Sequence, residues 1–300
     1  MTEPIEFAKL SGSGNDFICI DNRDGRLDAL LDSPQRVGRF AQLLCRRRVG
    51  IGADGVIFAG TPEVEGFAHV AARFFEADGS ETGLCGNGTG CFVRWAIDSG
   101  FVADREVKVL TPAGVVVAAN GEGGYVRVCI PAPEDMQRDV EITVRGLPMW
   151  CDFVVTGVPH VATYVDDVEG TDVAALGPAI RHHKRFQPRG TNANFVQVLA
   201  PGEIALRTWE YGVEGETLAC GTGSAAAAIL AALRFDWPKE IFSGEQPVLI
   251  RVRSGDVLRV YFVRAEDGTI DDVCVETVVR FLCRGTMTPE LAAAALGEEA

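Results

Sequence analysis

Two cysteines lie at matching positions of an eight-residue sequence that the chain carries twice. The copies run from Glu81 to Gly88 and from Glu216 to Gly223, and both fit the pattern E-T-x-x-C-G-x-G. An apolar, strand-like segment precedes each copy, and a helix-like segment follows it. The pattern therefore predicts that Cys85 and Cys220 each stand just ahead of the N-terminus of a helix.

This position suits a cysteine that exchanges protons. The first N–H groups of a helix have no partner within the helix, and they carry the positive end of its dipole. They favour a thiolate over a thiol, and they also bind carboxylates. The glycines that flank each cysteine leave room for a ligand to approach the backbone: Gly86, Gly88, Gly221 and Gly223.

A pair of such cysteines can invert a carbon centre. If the two helices face one α-amino acid across a cleft, one thiolate removes the α-proton and the thiol of the other delivers a proton to the opposite face. The helix ends would stabilise the negative charge that develops on the carboxylate. We expect no cofactor, because the chain has four lysines and none lies in the repeated loops, so nothing indicates pyridoxal phosphate.

Three other interpretations of these cysteines are weaker. A single cysteine beside glycines is usually a small buried residue, but a matched pair in a repeat favours catalysis. Cys85 and Cys91 have poor ligand spacing for zinc, so no metal is expected. A nucleophilic pair with His160 would leave the second cysteine without a role. The remaining cysteines are expected in the core: Cys19, Cys45, Cys129, Cys151, Cys274 and Cys283.

The repeat predicts a duplicated protein of mixed α/β class. Cys85 and Cys220 are 135 residues apart in a chain of 300, and both halves continue with a helix and three strand-like segments. We predict an N-terminal domain over residues 1–132, a second domain over residues 133–285, and a C-terminal helix or tail over residues 286–300 that packs back on the first domain.

Periodicity and turn residues place the main elements. Ser33 and Pro34 predict the start of an amphipathic helix that reaches Cys45, and Thr288 and Pro289 predict the start of the last helix. Further helices are predicted over Cys91–Ile97 and Ser224–Leu233, and strands over Phe7–Ser11, Phe17–Asp21, Val56–Phe58, Val70–Phe75, Glu106–Leu110, Val115–Ala119, Tyr125–Ile130, Ile204–Trp209, Val248–Val252, Val257–Phe262 and Val273–Val278.

Composition restricts the partners and the compartment. The net charge of −14 argues against non-specific nucleic-acid binding, which requires a basic face. No apolar run approaches the roughly 18 residues of a membrane span, and the first residues do not resemble a signal peptide. Nine cysteines without a C-x-x-C pair are typical of a reducing compartment, so we expect a cytoplasmic protein with no membrane partner.

Five segments give the chain a resemblance to the diaminopimelate epimerase family: Lys9–Phe17, Ala77–Gly88, Gly157–His160, Gly190–Phe195 and Glu216–Gly223. The resemblance implies two pseudo-symmetric α/β domains, each a mixed sheet wrapped around a central helix, with the active site between them. It also implies a cofactor-independent epimerase of lysine and peptidoglycan precursor synthesis. Such an enzyme interconverts L,L- and meso-diaminopimelate, takes a small-molecule amino-acid substrate, and forms a homodimer.

The resemblance also assigns roles to individual residues. Cys85 and Cys220 match the acid and base thiols of the family. Glu210 and His160 match residues that contact the reacting centre and its amino group. The expected substrate contacts are Asn15, Glu76, Gly86, Asn87, His160, Asn192, Glu210, Tyr211, Gly221 and Thr222.

Three positions depart from the family pattern. Glu76 and Val158 stand where the family usually or often has asparagine, and Tyr211 replaces the arginine that pairs with the distal carboxylate of diaminopimelate. A tyrosine offers one neutral hydrogen bond, whereas a guanidinium clamps a carboxylate with two. One alternative is therefore a related two-cysteine racemase of an amino acid with a neutral or cationic side chain. A single-cysteine acyl-transfer enzyme and a non-catalytic amino-acid-binding protein are further alternatives.

Overall fold

The computed structural model describes residues 4–64, 66–83, 85–103 and 106–297. The chain divides into two compact units. The first contains the chain up to Val128 together with the residues from Val278 on, and the second contains Cys129–Thr277. Leu84 of the first repeated motif lies outside the described ranges, as do residues 1–3 of the predicted first domain and residues 298–300 of the predicted tail.

Runs of two or more strands are separated by one or two α-helices. Up to Cys129 they are β1 (Glu6–Gly12), β2 (Asn15–Asp21), α1 (Asp28–Leu31), α2 (Pro34–Cys45), β3 (Gly55–Gly60), β4 (Val70–Glu76), β5 (Glu81–Thr82), α3 (Gly86–Asp98), β6 (Glu106–Thr111), β7 (Gly114–Asn120) and β8 (Tyr125–Cys129). They continue as β9 (Glu134–Val144), β10 (Leu147–Thr156), β11 (Val158–Tyr164), α4 (Val173–Arg181), β12 (Asn192–Ala200), β13 (Glu203–Glu210), β14 (Gly215–Thr217), α5 (Gly221–Arg234), α6 (Lys239–Phe242), β15 (Val248–Val252), β16 (Val257–Arg264), β17 (Ile270–Thr286) and α7 (Pro289–Leu296).

In the first unit a mixed sheet packs around α3. The last part of β17 pairs with β1, and the order continues β2, β3, β4, β6, β7 and β8. The pairs β2–β3 and β4–β6 are parallel, and the others are antiparallel. Phe92 and Trp95 of α3 pack with strand residues such as Ile57 and Val107. A second core lies under α2, where Phe40 contacts the ring of Phe58.

In the second unit α5 occupies the corresponding place. The strand order is β9, β10, β11, β12, β13, β15, β16 and the first part of β17, with β11–β12 and β13–β15 parallel. Helix α5 is rich in alanine, a strong helix former, and its residues from Gly223 to Ala232 are buried. A helix without a polar face is stable only inside a core, and α5 packs there against Val154, Leu206 and Val260.

The predicted fold is confirmed, and the helices are longer than the apolar pattern indicates. Helix α3 begins at Gly86 rather than Cys91, and α5 begins at Gly221 rather than Ser224. Glycine is a poor helix former, so in these first turns the capping cysteine and the surrounding core must offset its low propensity. Within the described ranges, no helix is long and apolar enough to cross a membrane.

Strand β17 changes the predicted domain boundaries. The sequence predicts a strand that stops at Val278, whereas β17 continues to Thr286. Residues 278–285, which the sequence assigns to the second domain, lie in the first unit because Val279–Thr286 pairs with β1. The other boundary falls after Val128 rather than after residue 132. Helix α7 also lies in the first unit, where its residues Ala292 and Ala295 are buried.

Three cysteines that the sequence places in the core are not buried. Cys283 is exposed, because it lies in the last part of β17, where most side chains face away from the core. Cys129 and Cys274 are half-buried and form a disulfide with each other. The reason is the pairing of β8 with β17, which brings together two strands that are far apart in the chain. The other seven cysteines form no disulfide.

The two predicted N-caps behave differently. The hydroxyl of Thr288 accepts a hydrogen bond from the N–H of Leu291 at 3.2 Å, as predicted. Ser33 precedes α2, but its side chain makes no capping hydrogen bond. The proline at the first position of α2 still sets the start of that helix.

Gly177 allows α4 to lie directly on β13, and its replacement tests this packing. A Cβ at this position would stand 2.6 Å from Cβ and 2.7 Å from Cγ of Trp209. These atoms are close to the backbone, so the strand that carries Glu210 would have to shift. We expect Gly177→Ala to lower the free energy of unfolding by about 1–3 kcal/mol, measured by urea denaturation, despite the better helix propensity of alanine.

Gly60→Ala is the matched control. Within the part of the chain that the structure describes, its Cβ would meet only Cβ of Ala71, at 3.7 Å, so we expect a change within about 0.5 kcal/mol. Equal stability of Gly177→Ala and the wild type would contradict the packing of α4 on β13.

Candidate active site

Cys85 is the N-cap residue of α3. Its backbone is extended, with φ −131° and ψ 115°, and its Sγ accepts a hydrogen bond from the N–H of Gly88 at 3.4 Å. A side chain at position 88 would crowd Cys85, because its Cβ would stand 3.3 Å from Cβ of Cys85 and equally close to the rings of Phe17 and Phe74. The sulfur is therefore held at the helix start by backbone geometry.

Cys220 is the N-cap residue of α5 with nearly the same geometry. Its φ is −122° and its ψ is 112°, and its Sγ accepts from the N–H of Gly223 at 3.3 Å. A Cβ at position 223 would stand 2.6 Å from Oδ1 of Asn194 and 3.1 Å from the sulfur. The prediction that both cysteines stand at the start of a helix is confirmed.

An ion pair fixes the glutamate that opens each motif. Arg73 on β4 binds Glu81 with two hydrogen bonds of 2.7 and 2.9 Å. Arg207 on β13 binds Glu216 in the same way, at 2.6 and 2.9 Å. Each pair joins the strand before the motif to the short strand that leads to the cysteine. Sequence reasoning missed this role, although an arginine in the preceding strand accompanies both copies of the motif.

Asn15 and Asn87 meet beside the start of α3. The side-chain amide of Asn87 donates to Oδ1 of Asn15 at 2.8 Å, and the amide of Asn15 donates to Asp54 at 3.4 Å. Among the described residues, no atom lies within 4 Å of a Cβ placed at Gly86, so the first residue of α3 borders open space. Glu76 ends β4, where its carbonyl accepts from the N–H of Gly79 in the turn before the motif.

His160 and Thr222 connect to the sulfur of Cys220. Nε2 of His160 lies 3.1 Å from the hydroxyl of Thr222, and that hydroxyl lies 3.6 Å from Sγ of Cys220. His160 is fully buried. Burial lowers its pKa to about 3, because the charged imidazolium would lose its hydration. His160 is therefore a neutral imidazole at physiological pH.

Glu210 is the charged group that faces Cys220. Burial raises the pKa of Glu210, while hydrogen bonds from Thr217 and Cys220 lower it. The bond from the Thr217 hydroxyl measures 2.5 Å. Burial also raises the pKa of Cys220 well above its ordinary value, and the negative charge of Glu210 adds to this increase. Burial therefore opposes the effect of the helix N-terminus at Cys220 and favours the thiol form of this cysteine.

Asn192 and Tyr211 form the next part of the same region. Oδ1 of Asn192 accepts from the backbone N–H of Tyr211 at 2.8 Å, and its amide donates to the carbonyl of Pro159 at 3.0 Å. The Tyr211 side chain is exposed, and the guanidinium of Arg181 lies 4.3 Å from the centre of its ring. Arg181 is itself buried and pairs with Glu214 at 2.9 Å. Gly221 follows Cys220 as the first residue of α5.

Two buried residues of this region were not singled out by the sequence. Asn194 on β12 and Thr208 on β13 are 1% and 3% exposed, and both belong to the polar network around His160. The sequence feature that could have identified them is a polar residue at an inward-facing position of a strand, because burial of a polar group is costly unless the group is hydrogen-bonded. Among the described residues, no three His, Cys, Asp or Glu side chains are grouped to hold a metal ion.

Comparison with known proteins identifies a family and several relatives that this chain resembles. A family model described as diaminopimelate epimerase matches residues 7–130 and 153–266. The diaminopimelate epimerase of Aquifex aeolicus is 42% identical over 86% of this chain and 90% of its own length. That of a Hydrogenobaculum species is 38% identical, over 84% and 89%. A PhzF-family phenazine biosynthesis protein of Bacillus anthracis has the same fold, with a TM-score of 0.70, 16% identity, and coverage of 96% of this chain and all of its own.

The charge of Glu210 can be tested through the reactivity of Cys220. Because a carboxylate opposes a thiolate, we expect Glu210→Gln to lower the pKa of Cys220. The pH at which Cys220 reacts half-maximally with iodoacetamide should then move down, as followed by mass spectrometry of the peptide that contains it. Glu203→Gln, an exchange at the other end of β13, is the control. An unchanged or higher midpoint in Glu210→Gln would contradict the electrostatic role of this carboxylate.

Proposed function

The chain belongs to the diaminopimelate epimerase family, and we propose that it interconverts L,L- and meso-diaminopimelate by a two-cysteine acid–base mechanism. The observation that carries the proposal is the repeated capping geometry: two cysteines, each the N-cap of a buried helix, with sulfur-to-nitrogen distances of 3.4 and 3.3 Å. One cysteine would suffice for a nucleophile. A matched pair suits a reaction that removes a proton from one face of a carbon and returns one to the other.

In this mechanism one sulfur takes the α-proton as a thiolate and the other gives a proton as a thiol. Inversion requires that the two sulfurs act on opposite faces of the α-carbon. The reverse reaction exchanges their roles, so each cysteine must be able to hold either state. The thiol form of Cys220 supports its assignment as the initial acid for one of the two substrate isomers.

The backbone around each cysteine would hold the reacting carboxylate. The first N–H groups of α3 and α5, at Gly86, Asn87, Gly221 and Thr222, have no acceptor within their helices. Fixed N–H dipoles stabilise the extra charge of a carbanion or enediolate without reorganisation. The open space at Gly86 supports this assignment, because a substrate group can reach the backbone there.

His160 and Glu210 would act on Cys220 and on the substrate amino group. His160 is neutral and Glu210 is a buried carboxyl group, so neither adds a fixed positive charge that would hold Cys220 as a permanent thiolate. Asn15 and Asn192 would contact the rest of the substrate through side chains that are already oriented by hydrogen bonds.

The guanidinium of Arg181 lies against Tyr211, the residue that stands in place of the family arginine. Diaminopimelate carries a second carboxylate, and the exposed Tyr211 cannot neutralise it. Arg181 lies against the Tyr211 ring and supplies a guanidinium in this region, which supports the dicarboxylic substrate. However, Arg181 is paired with Glu214. This pair favours the second candidate, a two-cysteine racemase of an amino acid with a neutral or cationic side chain.

We further propose that the enzyme acts in the cytoplasm as a homodimer, in lysine and peptidoglycan precursor synthesis. The seven cysteines without a disulfide are in keeping with a reducing compartment, whereas the bond between Cys129 and Cys274 is not. Light scattering on the purified chain should give a mass twice that of one chain, and a monomer at working concentration would contradict the dimer.

Incubation of the reduced protein with L,L-diaminopimelate in deuterated water tests the reaction itself. We expect conversion to the meso form, with one deuterium at the inverted carbon, because the returned proton comes from a thiol that has exchanged with solvent. Stereochemistry and mass are read from the same sample. Inversion of ornithine or a neutral amino acid, with no change in diaminopimelate, would favour the second candidate.

Replacement of either motif cysteine tests the two-base mechanism. We expect Cys85→Ser and Cys220→Ser each to lower the epimerisation rate by about 100- to 10,000-fold, the usual contribution of a positioned acid or base. Cys283→Ser is the control, because that thiol is exposed and lies in neither motif; its activity should equal the wild type. Full inversion by either motif variant would remove the two-base assignment.

A further inference from the structure

A series of hydrogen-bonded polar side chains, buried except for the half-buried Thr222, ends at the sulfur of Cys220. The hydroxyl of Thr208 donates to Oδ1 of Asn194 at 2.9 Å. Nδ2 of Asn194 lies 3.2 Å from Nδ1 of His160, and Nε2 of His160 lies 3.1 Å from the hydroxyl of Thr222. That hydroxyl is 3.6 Å from Sγ of Cys220. The sequence predicted His160 and Thr222 as site residues, but it gave Asn194 no role.

The direction of these hydrogen bonds is fixed by a backbone carbonyl. The same Nδ2 of Asn194 lies 2.9 Å from the carbonyl oxygen of Val161. A carbonyl only accepts, so the group that faces it must be the NH₂ of the side chain and not its oxygen. The second hydrogen of that NH₂ then points at Nδ1 of His160, which must accept it.

A neutral imidazole carries one proton. If Nδ1 of His160 accepts from Asn194, the proton sits on Nε2, and Nε2 donates to the oxygen of Thr222. The hydroxyl oxygen of Thr222 is then an acceptor toward His160, so its single hydrogen is available for Cys220. The donor and acceptor of each hydrogen bond from Asn194 to Cys220 therefore follow from one carbonyl, that of Val161, and one carboxamide, that of Asn194.

We propose that Asn194 is a positioning residue that fixes the proton of His160 on Nε2 and thereby directs the hydroxyl hydrogen of Thr222 at Sγ of Cys220. The sulfur then receives two donors, the Thr222 hydroxyl and the N–H of Gly223 at 3.3 Å. Both favour the thiolate, whereas burial and the carboxylate of Glu210 on β13 favour the thiol. The proposal rests on the acid–base role of Cys220, and it explains how a buried thiol can also serve as a base.

Gly223, at the end of the second motif, leaves room for the side chain of Asn194. A Cβ at position 223 would stand 2.6 Å from Oδ1 of Asn194. Glycine therefore lets the first turn of α5 lie directly on the carboxamide. The carbonyl of Thr222 is held from the other side by the hydroxyl of Thr156, at 3.0 Å.

The tautomer is measured directly by long-range ¹H–¹⁵N correlation on protein labelled with ¹⁵N-histidine. The chain has four histidines, and the His160 signals are assigned by their loss in His160→Asn. We expect a protonated Nε2 and an unprotonated Nδ1 from pH 5 to pH 9. A proton on Nδ1, or an imidazolium in this range, would overturn the proposal. This result needs no turnover, so it is distinguishable from a failure of the proposed reaction.

The effect on Cys220 is measured by its alkylation rate at fixed pH in a double-mutant cycle. Asn194→Asp presents an acceptor to Nδ1, so the neutral imidazole keeps its proton there and Nε2 accepts from Thr222. The hydroxyl hydrogen is then turned away from the sulfur. We expect Asn194→Asp and Thr222→Val each to slow alkylation of Cys220 at pH 8 roughly tenfold, the size expected for one hydrogen bond to an anion.

The cycle separates positioning from a simple charge effect. If Asn194 acts through Thr222, Asn194→Asp has no further effect in the Thr222→Val background. A second tenfold loss in the double variant would show that the new carboxylate acts directly on the sulfur, and it would overturn the proposal. Thr222→Ser retains the hydroxyl and should restore the wild-type alkylation rate.

Discussion

A hydrogen bond from a helix N–H to a cysteine sulfur determines where each motif cysteine can act. The donor belongs to the third residue after the cysteine, and the helix that carries it is buried inside a sheet. Because core packing prevents the helix from turning, the sulfur cannot leave its position without breaking the cap. The motif glycines follow from this constraint: Gly88 and Gly223 stand where a Cβ would strike the sulfur or its neighbours. The alanines of α5 follow as well, since small side chains let the sheet pack closely on the helix.

The surroundings of Cys220 balance opposing effects on one proton. Burial and Glu210 favour the thiol, and the helix start and Thr222 favour the thiolate. A neutral His160 completes this balance without adding charge. A group that must both accept and release a proton works best when neither state is strongly preferred. The many buried polar side chains around this sulfur are costly in a protein core unless they are paired, and their hydrogen bonds keep the network in one arrangement.

Local patterns predicted the parts of this structure that depend on neighbouring residues. Alternating and helical periodicity placed most strands and all four long helices that were predicted, and the repeat located Cys85 and Cys220. Partners distant in the chain were not predictable in the same way. The disulfide of Cys129 and Cys274 joins strands 145 residues apart, and the role of Asn194 depends on a carbonyl of another strand. The long hairpin of β9 and β10 was missed because β9 begins with a mostly polar stretch and β10 is a mostly apolar run, so neither shows a clear alternation.

Strand β17 links the order of synthesis to the order of folding. The second unit is one continuous segment, Cys129–Thr277, whereas the first unit is interrupted by it. Strand β1 emerges from the ribosome before the second unit, yet its partner, Val279–Thr286, emerges after that unit. The sheet of the first unit therefore stays incomplete during synthesis, with one edge of β1 unpaired. The second unit is one continuous segment, so it can fold before Val279–Thr286 is made. A ribosome that stalls before residue 278 leaves an incomplete sheet around α3, and an unpaired edge of this kind recruits foreign strands.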